Sequence, residues 1–456
     1  MQYYLAHVYL GRALLAAALD FVCLVAASVL VWFTLHPAVD PRFYFLAVTV
    51  AGGANLVLLS YTGAYALTVL GSAARSGLRL LTSAGILAAC GVLSVLFLRP
   101  PAPVRNSALT GFGVYLVLLV SGRIAFRLLT QKLFVERVLL VGVSDLSRVI
   151  ARCVAERPNL GTEIVGFLSD EPVHQDVRFE GFPVLGPVHA IEKVIRAVHP
   201  QRIVVASKER GEHFPAEELM GTKLRGVRVE SGITFYERVT GRIYMRDLRP
   251  SYLIFSEGFE SGRGYRAAKR SLDFVLAGLG LLFASPLLLL AMLAVRLDSP
   301  GPAFFTQQRI GRWSKSFRLY KLRSMFHETT DGDARWTHAN DHRITRVGRL
   351  LRKMRLDELP QLWNVLRGDM SLVGPRPERP EFAEDLSARF PFFRLRHSLR
   401  PGLTGWAQIR YGYVNDILGW EEKLSLDLYY LKYRSLSMDL FILWETAKTV
   451  ILLRGT

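Results

Sequence analysis

The sequence predicts a membrane protein of mixed α plus α/β class: a four-helix transmembrane N-terminal bundle, then a small doubly wound α/β domain, then a mainly helical monotopic domain with a re-entrant membrane helix. Three observations predict it. Half of the 456 residues are hydrophobic and the mean hydropathy is +0.23, high for a soluble chain. Apolar runs of membrane-crossing length stand near the N-terminus and again in the middle of the chain. Between them, an apolar run, a glycine turn and a helical period follow one another in the order of a βαβ unit.

Four apolar segments open the chain: Leu14 to Leu35, Phe43 to Tyr61, Leu80 to Leu98 and Leu109 to Val120, the last extendable through Phe126. Each approaches the roughly 20 residues a helix needs to cross a bilayer. Asp20 interrupts the first, and an acid at that depth is expected to face other helices or an interface. Arg75 and Arg79 follow the second segment, and Arg123, Arg127, Lys132 and Arg137 lie at or beyond the end of the fourth. By the positive-inside rule both chain ends are cytoplasmic, although Arg99 and Arg105 fall on the outer side. The three cysteines, Cys23, Cys90 and Cys153, form no C-x-x-C pair and read as packing residues in a reducing compartment.

From Arg137 the pattern becomes "RVLLVGVSDLSRVIARCVAE", an expected strand, turn and helix. Further strand-like runs at Glu163 to Phe167 and Arg202 to Ala206 complete a Rossmann-like domain over 137–245. Its turn carries Gly142, Ser144 and Ser147 where a dinucleotide fingerprint wants three glycines. The expectation is therefore a regulatory or oligomerisation domain with no bound cofactor. A linker, 246–263, follows.

The next apolar run, Leu272 to Val295, has Ser285-Pro286 in its middle. A proline inside a helix removes one backbone hydrogen bond and clashes with the preceding turn, so a kink is expected there. Arg266, Lys269 and Arg270 precede the run and Arg296 follows it. Cations on both flanks place both ends on the anionic cytoplasmic face, which makes 270–296 a re-entrant helix, with Ser285 available to satisfy freed backbone groups.

The remainder is dense in cations. The chain's 57 Lys and Arg against 39 Asp and Glu give a net charge of +18, compatible on charge alone with nucleic acid, an anionic membrane or phosphorylated substrates. Arg343, Arg346, Arg349, Arg352 and Arg355 recur every third residue. On a helix each such step turns back by about 60°, so the five spread over a wide arc and cannot meet one ligand. Asp357-Glu358 comes directly after. As helix-end chemistry, Asp357 is an N-cap, Glu358 favours the positive helix end, Pro360 sits in the first turn and Gly368 closes the helix. As site chemistry, a carboxylate held ionised among arginines attacks phosphorus or binds a divalent cation. Adjacent helical residues point about 100° apart, so the two acids take different roles. "SLVGPRPE" then fixes Arg376 between Pro375 and Pro377, a preset cation suited to gripping phosphate.

"SPGPAFFTQQRIGR", "YKLRSM", "LRKMRLDELPQLWNVLRGDMSLVGPRPE" and "RPGLTGWAQI" together resemble the bacterial sugar transferase family, the monotopic phosphoglycosyl transferases, over about Gly264 to the C-terminus. The resemblance implies transfer of a sugar 1-phosphate from a UDP-sugar to undecaprenyl phosphate, releasing UMP, at the start of exopolysaccharide, capsule or O-antigen repeat-unit synthesis. It implies Asp357 as nucleophile on the sugar-bearing phosphate through a covalent aspartyl intermediate, Glu358 as its helper, and Mg²⁺ bound through Asp357. Lys321, Arg323, Arg352 and Arg376 would bind phosphate, Ser285-Pro286 would be the re-entrant break, and Trp406 and Gln408 would line the uridine or sugar side. Expected partners are the UDP-sugar, undecaprenyl phosphate, the lipid bilayer and a second copy in a homodimer, with no nucleic acid. The expected location is the bacterial inner membrane, with the catalytic domain on its cytoplasmic face.

Two other classes remain open on sequence. A membrane-anchored nucleotide-sugar epimerase or dehydratase needs an intact glycine fingerprint and a Tyr-x-x-x-Lys pair in the middle domain, and neither is present. A non-enzymatic scaffold of polysaccharide assembly explains spans and charge but leaves Asp357 idle. Nucleic-acid binding is disfavoured because the basic residues cluster beside a membrane segment without interleaved stacking aromatics.

Overall fold

The computed structural model describes residues 4–35, 40, 42, 44, 53–60, 80, 82–86, 102–133, 135–157, 161–169, 177–207, 214–246, 248–326, 343–411 and 417–451. The chain divides into two compact units, Met1–Thr240 and Gly241–Thr456.

In the first unit, helices α1 (Tyr4–Leu35) and α2 (Ala102–Leu133) pack together, and their stretches Leu15–Thr34 and Arg105–Phe126 are long and apolar enough to cross a membrane. Asp20 of α1 faces α2, as an acid at that depth must: Arg123 donates to it at 2.5 Å, and the two side chains are 1% and 5% exposed. Cys23 packs in the same interface, and its thiol donates to the Leu118 carbonyl. The second and third expected spans lie largely outside the described residues, which are helical over 53–60 and 82–86.

The α/β part of this unit begins at β1 (Glu136–Val141) and continues through α3 (Asp145–Ala155), β2 (Thr162–Ser169), β3 (Arg178–Phe179), β4 (Phe182–Pro187), α4 (Ile191–Val198), β5 (Arg202–Val205), α5 (Ala216–Leu224), β6 (Arg228–Ser231) and α6 (Gly232–Thr240). The sheet order is β3-β4-β2-β1-β5-β6, parallel except for β3. β2 and β5 coincide with the expected strands. β4 and β6 escape the pattern because β4 contains two prolines and β6 reads Arg-Val-Glu-Ser. Glu230 is nevertheless buried in β6, because Arg202 and Arg238 reach it at 2.8 and 2.5 Å.

The turn after β1 uses the residues that spoil its fingerprint. Ser144 caps α3 by accepting from the Ser147 N–H, and its own hydroxyl donates to the Ala206 carbonyl at 2.7 Å. Gly142 has φ +97°, and a Cβ there would come within 2.5 Å of the Ser207 backbone. The ends of β1 and β5, where a doubly wound sheet opens its ligand crevice, are thus stitched together.

The second unit holds α7 (Pro250–Phe255), α8 (Arg263–Asp298), the antiparallel hairpin β7 (Phe304–Ile310) and β8 (Ser316–Leu322), α9 (Arg346–Lys353), α10 (Gln361–Arg367), β9 (Ser371–Val373), α11 (Pro380–Arg389), β10 (Gly402–Thr404), α12 (Trp406–Arg410), α13 (Ile417–Tyr433) and α14 (Leu436–Ile451). β9 and β10 pair in parallel. The expected linker is docked rather than loose. The Phe259 N–H donates to the Lys432 carbonyl, Arg434 donates to the Phe259 carbonyl, and the Lys432 ammonium lies 4.4 Å from the Tyr252 ring.

α8 runs 36 residues without interruption, so Pro286 does not end the helix as a break would. The missing proline N–H orphans the Leu282 carbonyl four residues back, and the Ser285 hydroxyl donates to that carbonyl at 2.7 Å. Only Asp273, Ala277, Ala291 and Val295 of α8 are buried, while Phe274, Leu282, Phe283, Leu289, Leu290 and Leu293 stand exposed. Ala277 joins the main core, centred on Val365, Met370, Phe393, Leu424 and Ile442, whereas Ala291 and Val295 pack with Leu322 and Leu351 in a second cluster.

Candidate active site

The site is assembled by a chain reversal after a short helix. Thr345 caps α9 by accepting from the Gly348 N–H at 2.9 Å. Gly348 has no substitute: a Cβ there would sit 2.0 Å from the Ser324 carbonyl oxygen. α9 contains Arg346, Arg349 and Arg352, whereas Arg343 precedes it and Arg355 adopts the left-handed conformation, φ +57°, that ends it. The expected arginine helix therefore holds three of the five.

Beyond Arg355 the chain makes a single 3-10 turn, Leu356–Glu358, with Asp357 7% and Glu358 9% exposed. This corrects the N-cap expectation. Asp357 lies inside that turn, the residue preceding α10 is Pro360, and no side chain caps α10. Gly368 closes α10 as expected, with φ +89° and its N–H on the carbonyls of Asn364 and Val365.

The two acids are held differently. Burial works against ionising Glu358, but Lys321 at 3.0 Å, Arg376 at 3.2 Å and Arg355 at 3.7 Å outweigh it and hold the carboxyl well below the usual carboxylate range. Asp357 goes the other way. Burial foremost, then the neighbouring Glu358 charge, raise it, while Lys321, Arg352 and Arg355 pull back. Its carboxylate takes no hydrogen bond or ion pair from any described residue. Glu358 is committed to cations, and Asp357 meets its cations through charge alone among the described residues.

Lys321 comes from β8, where it pairs with Phe305, and Arg376 comes from the proline loop. Arg352, in the last turn of α9, acts on Asp357 through its charge. Beside Arg376 lies a cleft lined by Ile310, Pro375, Arg376, Pro377, His397 and Pro401.

Three expected site residues have other work. The Arg323 guanidinium is buried and donates to the carbonyls of Pro300, Ser299 and Val295 at 2.5, 2.6 and 3.2 Å. It satisfies the carbonyl end of α8 instead of presenting itself to phosphate. The Trp406 indole is 7% exposed, donates to the Gly241 carbonyl at 2.9 Å and stacks on Tyr429. It packs in the core of the second unit. Gln408 gives its amide N–H to the Leu403 carbonyl.

Sequence reasoning missed a buried charge group behind Arg376: Glu378, Arg396, Lys423 and Asp427. Their signal was faint, isolated ions of both signs set among Phe393, Trp420 and Tyr430. Burial pushes Glu378 up, but Lys423, Arg396 and Arg309 bring it down to about 2.

Among the described residues no three His, Cys, Asp or Glu side chains come together as a metal cage. A buried carboxylate that takes no hydrogen bond or ion pair from a described residue fits Mg²⁺ that takes its other ligands from water and substrate phosphate.

A paired-acid centre in a ring of cations, on a domain built around an apolar helix, defines a membrane-associated phosphate-handling protein. The family model described as bacterial sugar transferase matches residues 264–453. The chain is 40% identical over 215 residues to the UDP-N-acetylgalactosamine-undecaprenyl-phosphate N-acetylgalactosaminephosphotransferase of Aeromonas hydrophila, covering 47% of this chain and 50% of that protein. It is 45% identical over 185 residues to the UDP-glucose:undecaprenyl-phosphate glucose-1-phosphate transferase of Caulobacter vibrioides, covering 40% of this chain and 69% of the relative. The similarly named protein of Xanthomonas campestris pv. campestris is 30% identical over 348 residues, covering 74% of this chain and 72% of the relative. The chain belongs to the bacterial sugar transferase family.

Proposed function

We propose that the protein is a phosphoglycosyl transferase that moves a sugar 1-phosphate from a UDP-sugar to undecaprenyl phosphate, releasing UMP and opening an exopolysaccharide or O-antigen repeat unit. The observation that carries this reading is the asymmetry of the dyad, with Glu358 locked by three cations and Asp357 buried beside it without a hydrogen bond or ion pair from any described residue. An Asp357 oxygen attacks the sugar-bearing phosphorus, the bond to the bridging oxygen breaks, and UMP leaves with that oxygen. An oxygen of the lipid phosphate then attacks the same phosphorus and frees the carboxylate. Lys321, Arg352 and Arg376 hold the phosphate oxygens in line, and Glu358 holds Lys321 and Arg376 in place. Mg²⁺, when bound by Asp357 and the diphosphate, neutralises charge on those oxygens.

The membrane placement supports the same chemistry. The Asp273 carboxylate accepts from the Leu372 N–H at 3.1 Å and Asp298 accepts from the Val347 N–H at 3.0 Å, so both limbs of α8 are tied to one folded unit. Those residues are 25 apart, about 37 Å along a straight helix, and a crossing helix would carry them to opposite faces of the bilayer. This favours a re-entrant α8 and a catalytic domain on the cytoplasmic face of the inner membrane.

The test is incubation of purified protein with a panel of UDP-sugars and Mg²⁺, without lipid. UMP release with a protein-bound phosphosugar, lost in Asp357→Asn, is the expected result. UMP release retained in Asp357→Asn, as a different nucleophile requires, or no UMP release from the wild type, as a scaffold requires, overturns it.

A further inference from the structure

The loop that presents Arg376 contributes almost no N–H groups, because Pro375 and Pro377 have none. It is instead held by its carbonyls, each from a different direction. The Pro375 oxygen accepts from the Gly402 N–H at 2.9 Å, the Pro377 oxygen from Arg309 at 3.2 Å, and the Glu378 oxygen from the Ile310 N–H at 2.9 Å. The carbonyl of Arg376 itself accepts from Arg396 at 3.0 Å. Arg396 is embedded in a charge network. Two of its N–H groups reach Asp427 Oδ2 at 3.0 and 2.7 Å, its guanidinium lies 5.1 Å from the Phe393 ring, and its side chain is 1% exposed. Asp427 is buried in α13. The fork is thus fixed at one end by a carboxylate and spends its remaining reach on the backbone of the residue whose own side chain meets Glu358 at 3.2 Å.

We propose that Arg396, clamped by Asp427, is a positioning residue that aims the Arg376 side chain at the diphosphate of the nucleotide sugar. A residue this buried does not touch substrate, so its influence passes through Arg376. The planar fork is required, because Nε and Nη2 together hold Asp427 while Nη2 also donates to the Arg376 carbonyl, and the compact ammonium of lysine does not reproduce that geometry. This inference rests on the reading of the site as a UDP-sugar site.

The experiment measures UDP affinity by calorimetry on the full-length protein in lipid nanodiscs with Mg²⁺, for wild type, Arg396→Lys, Arg376→Ala and the double variant, each first shown to melt cooperatively. Each single substitution is expected to weaken UDP binding about tenfold, the loss of one phosphate contact. The double variant is expected to bind no more weakly than Arg376→Ala, because a residue acting through another has nothing left to position. A merely structural role would instead multiply the two losses, and multiplied losses overturn the proposal. So does unchanged affinity in Arg396→Lys. Should that variant fail to fold, Asp427→Asn replaces it in the same cycle with the same expectation. Absence of UDP binding by the wild-type chain overturns the functional reading and this inference together, whereas additive losses overturn the positioning role alone.

Discussion

Lys321 and Glu358 are joined at 3.0 Å across the site, one from an antiparallel strand and the other from a 3-10 turn 37 residues later. The pair sets the separate fates of the two acids, since the ammonium that binds Glu358 also favours ionisation of Asp357. Replacing Lys321 with Met leaves a buried carboxylate short of one partner and, on the proposed function, removes a phosphate ligand. Turnover is expected to fall about 100-fold, in the range lost when a single electrostatic donor is removed, and Lys321→Arg is expected to recover part of it. Steady-state UMP release checks this.

Glu358→Gln tests the division of labour from the other side. The amide keeps the shape but leaves Lys321, Arg355 and Arg376 without their common anion. If Glu358 organises cations while Asp357 reacts, the variant still forms the phosphosugar adduct, about 10- to 100-fold more slowly, as misplaced ligands dictate. Rapid-quench measurement of adduct formation gives the rate. Complete absence of adduct would overturn the assignment of Glu358 to an organising role alone.

Ser285→Ala removes the only hydroxyl donating to the Leu282 carbonyl among the described contacts. Within an apolar segment that carbonyl has no water to turn to, so α8 is expected to lose about 1 kcal/mol, read as a lower melting temperature in detergent. Ser285→Thr keeps the donor and is expected to melt near wild type.

His397 gives the protein an acid-sensitive core. Burial, then the charges of Arg396 and Arg394, bring its imidazole down to about 4, and Ser314 holds Nδ1 at 3.1 Å. The unfolded chain binds this proton near pH 6.5 and the folded chain only near 4, so across that window the unfolded state carries more protons. Stability from this group is complete above pH 6.5 and is lost as pH falls towards 4. Melting temperatures measured from pH 7.5 to 4.5 are expected to decline, and His397→Gln to flatten the decline.

Gly348→Ala is expected to unseat α9. The added methyl would meet the Ser324 carbonyl at 2.0 Å, a contact that only backbone movement relieves. The variant is expected to lose several kcal/mol, on the scale of overpacking at about 1–3 kcal/mol or more, and to lose adduct formation with it.

How much of this was legible varies with the kind of signal. The Asp357-Glu358 pair stood out as acids in a basic stretch and Arg376 as a cation fixed between prolines, Lys321 and Arg352 were assigned by the family resemblance, and the structure brings Lys321, Arg352 and Arg376 onto the dyad. Arg323 carried the same sign in the same motif as Lys321, yet strand alternation turns residues two apart to one face only while the strand lasts. β8 ends at Leu322, and Arg323 falls instead on the carbonyl end of α8. Trp406 was assigned to the nucleotide or sugar side by the resemblance alone, and its burial does not show in the sequence.

Composition and periodicity were enough to decide the apolar helices α1, α2 and α8, the α/β order of the middle of the chain and the placement of Asp357 and Glu358 close to arginines, because each depends on residues near one another along the chain. Folding alone settled which of those charges face each other. The Glu358 cage draws on residues 321, 355 and 376, and the Arg376 loop on residues 309, 310, 396 and 402. Contacts of that span follow from packing and from the need to pair every buried charge, and no local pattern encodes them.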